Sequence, residues 1–310
     1  MYHLATIFPP VLRLRRLPLT RDQIMLLLTA LSEIFIGLDH YLAHSLSGTI
    51  VPNEWIPIVF GPVAGGLLLL AGVIALRRRS LATVIGTVTL LSSIAVGLLG
   101  AYFHFVRAIL PSGPAGERVT LGLLVWAPPV LGPLFLSLVG IIGISAVWVE
   151  DPPDSGVLLL AGRRVRLPSS KTRGYFFLVG LGTLATVLSS VLDHARTGFE
   201  NPWLWLPTAA GVLGTVVAMA LSTIETPTRV DLITYAGAML LLMLVGVAGT
   251  VLHIEANLIA QGTVVVERFI RGAPIMAPLL FSNMGLLGFI ALLDPVDRTS
   301  PSRIGRTTGR

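Results

Sequence analysis

The residues best suited to chemistry are five histidines and a few carboxylates set inside or at the ends of apolar stretches. In ALSEIFIGLDHYLAHS, residues 30–45, a helix would place Glu33, Gly37, His40 and His44 within an arc of roughly 60°, so one face of a greasy helix is polar. Ionisable groups in lipid are expensive and normally face a bundle interior or a wet cavity, which makes this face the leading site candidate. His40 and His44 stand at i and i+4, a spacing that lets two imidazoles reach one metal ion. Two interfacial histidines bonded to water and backbone would give the same pattern.

Glu33 lies about 16 Å along that helix, near the bilayer midplane, where an unpaired carboxylate costs most. It should be protonated there, or held by Ser32, Ser92, Ser93 or a histidine. A structural hydrogen bond between helices is one reading, and a proton relay stepping from Glu33 toward His40 is the other.

His104 and His253 each end a Gly-x2-Gly-x3-His stripe, formed by Gly97 and Gly100 in one case and by Gly246 and Gly249 in the other. Glycines on the histidine's face let a neighbouring helix come close. They would equally suit a flat macrocycle such as haem b, ligated axially by imidazole. Glu255 is about 200° from His253 on a regular helix, so both reach one ion only if the helix unwinds, whereas Asn257 shares the histidine's face. Asp39 and Asp193 point about 100° away from His40 and His194. They are better placed to orient an imidazole on the next helix, or to make plain interhelical hydrogen bonds.

These side chains must be positioned by membrane helices. Of 310 residues, 54% are hydrophobic and 12% charged, and the mean hydropathy is +0.83, far from the usual balance of a soluble globular chain. Eight apolar stretches are expected to cross, at about 22–45, 56–76, 81–106, 128–147, 174–195, 203–222, 229–256 and 273–293. The net charge of +6 does not point to nucleic acid, because the basic residues stand in short loops and tails. The N-terminus, the loops after the even-numbered stretches and the C-terminus hold 17 of the 22 Lys and Arg, which predicts that both termini are cytoplasmic. Arg13, Arg15 and Arg16 ahead of the first stretch loosely suggest a signal peptide, but that stretch carries a motif that recurs later, so it is read as a mature helix.

The recurrence runs through the chain. Leu38-Asp39-His40 matches Leu192-Asp193-His194, the two glycine–histidine stripes match each other, Glu117-Arg118 matches Glu267-Arg268, and the run from Ala127 echoes that from Ala273. The expected fold is therefore an all-α polytopic membrane protein built as two tandem four-helix repeats in parallel orientation. Its segments are a basic N-terminal segment (1–21), a first repeat (22–148), a cytoplasmic linker with a short hairpin (149–173), a second repeat (174–293) and a C-terminal tail (294–310).

Counted along the helices, His40, His104, His194 and His253 all sit ~27–35 Å from the cytoplasmic end, near the outer boundary. That coincidence favours a metal- or haem-binding redox protein of the plasma (inner) membrane, with its site facing the outside or periplasm. His40, His44, His104, His194, His253 and Glu255 are then candidate ligands of a transition metal or of haem b, and Glu33, Asp39, Asp193 and Asn257 the surrounding shell or relay. The expected partners are the lipid bilayer and an unidentified redox or membrane protein. Two other readings stay open: a proton-coupled transporter or channel for a small solute or ion, and a scaffold or accessory subunit whose histidines are structural. The absence of cysteine excludes disulfides and thiolate metal sites, and there is no P-loop, dinucleotide fingerprint or GxSxG motif.

Overall fold

The computed structural model describes residues 19–46, 48–109, 121–126, 128–160, 162–258 and 265–293. Most of the basic N-terminal segment, the Glu117-Arg118 pair and the C-terminal tail from 294 lie outside the described residues.

The protein is mostly helical. α1 (Arg21–Ser45) opens with a capping box: the Thr20 hydroxyl accepts from the Gln23 amide at 3.3 Å, while the Gln23 side chain accepts from the Thr20 amide at 2.8 Å. α2 (Trp55–Ala75), α3 (Arg79–Ile109), the short α4 (Leu121–Trp126) and α5 (Leu131–Val147) follow. A small antiparallel sheet of β1 (Val149–Glu150), β2 (Val157–Leu160) and β3 (Arg163–Arg166) then contains a hairpin. After it come α6 (Lys171–Ala195), α7 (Trp205–Thr223), α8 (Arg229–Leu258), the short α9 (Val266–Arg271) and α10 (Leu279–Ala291).

Six helices, α1, α2, α3, α6, α7 and α8, are long and apolar enough to cross a membrane. α5 and α10 are shorter, with 17 and 13 residues, hence about 25 and 20 Å long. They are apolar on all sides because they fill the centre of the bundle. Phe135, Leu136, Val139 and Ile142 of α5 and Phe281, Met284, Leu287 and Ile290 of α10 belong to one core cluster, joined by Tyr175 and Phe176 of α6 and Tyr235 and Met239 of α8. By contrast α2, α3, α7 and α8 leave rows of Leu and Val exposed, as lipid-facing surfaces do.

The packing follows the same scheme on both sides of the sheet. α1 packs on α2 as α6 does on α7, α3 on α5 as α8 on α10, and α1 on α5 as α6 on α10; α5–α6 and α10–α1 contacts join the two groups. Where the arginine-rich loops gather, Lys171 pairs with Asp22 and donates to the Trp148 carbonyl at 2.8 Å, while Glu150 accepts from the amides of Asp154, Gly156 and Lys171. This network ties α1, α6 and the sheet together.

The sequence leads one to expect Pro133 and Pro278 to kink the helices they interrupt, but they do not. Pro278 is the N-cap of α10 and Pro133 lies in the first turn of α5, where a missing N–H has no helical partner to lose. Pro62 is the proline inside a helix, and Gly37 of α1 packs directly on its ring.

Candidate functional site

The polar face expected on α1 exists. Glu33 is 0% exposed, His40 6%, and Gly37 is buried against α2, whereas Leu31, Phe35 and Leu38 on the other side are exposed. Neither carboxyl oxygen of Glu33 has a hydrogen-bond partner. The Ser93 hydroxyl is the polar group within reach of the carboxyl, and it donates to its own helix, to the Thr89 carbonyl at 3.2 Å. Ser32 is also engaged elsewhere, accepting from the Asn283 amide at 3.3 Å, and Ser92 donates to the Val88 carbonyl. Ser92 and Ser93 thus donate within their own helix, and the carboxyl lies fully buried in the bundle.

Toward the end of α1 the structure brings His40, His44 and His104 together. The His40 and His44 ring centroids are 6.3 Å apart, and His44 meets His104 edge-on at 5.9 Å. Glu54, in the 3-10 turn (Pro52–Glu54) that leads into α2, approaches His44 Nδ1 to 3.4 Å and Arg107 to 3.7 Å, and its other oxygen accepts from the Val51 amide at 3.0 Å. Neither Glu54 nor Arg107 was legible as a site residue. The only signal was that Glu54 is the sole carboxylate in the loop opposite the arginine-rich ones.

His194 and His253 form a separate pair on α6 and α8, near enough to interact electrostatically with each other and with Asp193. The His194 ring packs on Phe199, which stacks on Trp205. Asp39 and Asp193 are within electrostatic reach of one another across the two helix groups, and Asp193 pairs with Arg196 at 3.8 Å. Among the described residues, no hydrogen bond runs from either aspartate to an imidazole. Glu255 is exposed, and Asn257 is buried where its side chain both donates to and accepts from the Ala273 backbone at 2.9 Å. Among the described residues, no group of three or more His, Asp or Glu is arranged to hold one metal ion.

Each imidazole has its Nδ1 occupied. His40 Nδ1 meets the Ile36 carbonyl at 2.7 Å, His104 the Pro129 carbonyl at 3.0 Å, His253 the Pro274 carbonyl at 2.8 Å and His194 the Ser190 hydroxyl at 3.4 Å. Because a carbonyl only accepts, His40, His104 and His253 carry a proton on Nδ1, which in the neutral ring leaves Nε2 as the lone pair. For His104 and His253 the partner carbonyl has a specific reason to need a donor. Pro129 precedes Pro133 by four residues and Pro274 precedes Pro278 by four, so the residue that would supply the helical N–H is a proline in both cases. The imidazole supplies it.

The glycine stripes are filled by helix. A Cβ on Gly97 would stand 2.6 Å from the Ser137 amide nitrogen and 2.8 Å from the Pro133 carbonyl, and one on Gly246 would stand 2.6 Å from Ser282 N and 2.7 Å from Pro278 O. Ser137 and Ser282 then donate across to the carbonyls of Ile94 and Met243, at 3.0 and 2.9 Å. The faces that a macrocycle would need at these glycines are occupied by α5 and α10. Trp55, Trp126, Trp203 and Trp205 are exposed, as an aromatic belt would be.

The arrangement defines a helical membrane protein whose polar residues concentrate inside and at the two ends of the bundle. Comparison with protein-family models, with curated proteins and with solved structures found no match to the chain.

Proposed function

We propose that the protein is a proton-coupled transporter or channel for a small solute or ion, in which Glu33 binds the proton and His40, His44 and Glu54 connect it to one end of the bundle. The observation that carries this reading is the state of Glu33: fully buried among membrane helices, with no hydrogen bond to either carboxyl oxygen. Such a place accommodates the neutral, protonated carboxyl and makes its ionisation an event the protein must compensate. Seven residues separate Glu33 from His40, about 10 Å along the axis, and from there His44 and Glu54 follow in short steps. Liposomes containing the protein should conduct protons or proton-linked solute, and Glu33→Gln should abolish that flux.

The site belongs to a larger scheme that we also propose. α5 and α10 complete eight crossings, organised as two parallel four-helix repeats over 22–148 and 174–293 with cytoplasmic termini, in the plasma (inner) membrane, and the histidine-bearing end faces outward. Paired support comes from the two His–Pro contacts, the two Gly–Ser–carbonyl crossings and the matching helix contacts. The halves have diverged in their polar content, since Val187 stands where the second copy would carry Glu33 and Gly198 where it would carry His44.

A second reading has one observation in its favour. With Nδ1 held by an acceptor, His40, His44 and His104 each present Nε2, the arrangement that orients imidazole ligands of a metal. For these three to share a transition metal the rings would have to leave the positions they hold, and a redox activity with a membrane partner would be one use of such a metal. Elemental analysis and absorption spectra of the purified protein test it: stoichiometric metal supports ligation, and its absence after metal supplementation removes it.

A further inference from the structure

At the arginine-rich end of the bundle a cavity of about 380 Å³ opens between α1, α2, α3, α5 and the linker sheet. That volume falls in the range of small-molecule sites. Its long walls are apolar, built from Leu26 and Ala30 of α1 and Leu68 and Gly72 of α2. Leu27, Leu69, Val73 and Leu76 also line it and are exposed, so the cavity is continuous with the surface that faces acyl chains.

The polar end is different in kind. Arg21, Arg79, Lys171, Asp22 and Glu150 line it, three cations against two carboxylates. Both carboxylates are already engaged, Asp22 by Lys171, Arg21 and the Tyr175 hydroxyl, and Glu150 by three backbone amides. Arg21 is only 3% exposed; it stacks over the Tyr175 ring at 5.1 Å and donates to the Thr172 hydroxyl at 2.5 Å, and its Nε stands 3.5 Å from Asp22 Oδ1 in an ion pair that lacks hydrogen-bond geometry. Arg79 and its neighbours Arg77 and Arg78 are exposed, and among the described residues none of the three is in an ion pair.

We propose that this cavity binds one anionic phospholipid, with its phosphate at Arg21 and Arg79 and an acyl chain along α1 and α2. A cation-lined end, with Arg79 exposed and in no ion pair among the described residues, at the head of an apolar slot suits a phosphate followed by a hydrocarbon tail. Basic pockets between membrane helices on the cytoplasmic side recognise lipid headgroups by the same physics. The inference is independent of the proton-binding reading of Glu33.

The test is native mass spectrometry of the full chain released from nanodiscs that contain phosphatidylglycerol and phosphatidylcholine in equal amounts, with oleate added in a parallel arm. The wild type should retain one phosphatidylglycerol in preference to phosphatidylcholine and oleate. A Cβ at Gly72 meets nothing within 4 Å, so Gly72→Leu projects into open space and should expel the lipid while helicity stays the same. Arg79→Gln, a change at an exposed residue, should weaken retention about fivefold, the loss expected for one arginine near a headgroup. Equal retention of phosphatidylcholine, displacement by oleate, or unchanged phosphatidylglycerol in both variants would overturn the proposal.

Discussion

Glu33→Leu separates a functional carboxyl from a structural strut. In the native protein both carboxyl oxygens are buried without a partner, and leaving a buried polar group unsatisfied costs about 1–3 kcal/mol. Leucine has nearly the same bulk, and volume-conserving exchanges in a packed interior cost less than about 1.5 kcal/mol. The variant should therefore lie between about 0.5 kcal/mol less and about 3 kcal/mol more stable than the native protein, because the penalty removed matches or exceeds most of the packing cost. It should also have lost proton-linked flux. Equilibrium unfolding in mixed micelles, followed by circular dichroism, gives the stability, and liposome flux gives the activity. If Glu33→Leu is destabilised by 2 kcal/mol or more, the carboxyl was holding helices together, in the range expected when a buried hydrogen-bond network is cut. The argument from an unpartnered group would then be wrong.

The other predictions concern the scaffold and the route to Glu33. His104→Ala and His253→Ala should each cost about 1 kcal/mol, since each removes one donor from a carbonyl that keeps a second, weaker one from Gly132 or Ala277. The two losses should add, because the contacts lie in separate helix groups, and a double-mutant unfolding series checks this. In a Pro133→Ala background the backbone N–H returns, so His104→Ala should become nearly neutral; undiminished cost there would mean the histidine does something other than satisfy Pro129. Gly97→Ala and Gly246→Ala should destabilise by roughly 1–3 kcal/mol through overpacking, whereas Gly66→Ala, which meets open space, should be tolerated, as thermal denaturation will show. His44→Ala should slow flux without unfolding the protein, and millimolar imidazole added to the medium should restore part of it; no rescue would place His44 outside the path.

Much of the scaffold was legible because lipid imposes a strong pattern. The first apolar stretch expected at 22–45 became α1 at Arg21–Ser45, and 174–195 became Lys171–Ala195. The helix starts at Pro128 and Pro274 were read too early, because the chain runs through non-helical residues and turns until Leu131 and Leu279. Helical angles also placed Glu33 and His40 correctly on one buried face. They did not reveal what each histidine meets, because the partners of His104, His253 and His44 are two backbone carbonyls and a loop carboxylate 25, 21 and 10 residues away, beyond the reach of periodicity. For the same reason the glycine stripes left two accounts open until the positions of Ser137 and Ser282 filled them with helix.

The most direct measurement is infrared titration of the protein in nanodiscs, comparing the wild type with Glu33→Gln. The account predicts a carboxylic-acid carbonyl band that responds reversibly to external pH and vanishes in the variant. A wild type with no such band, or a band that persists unchanged in Glu33→Gln, would contradict it.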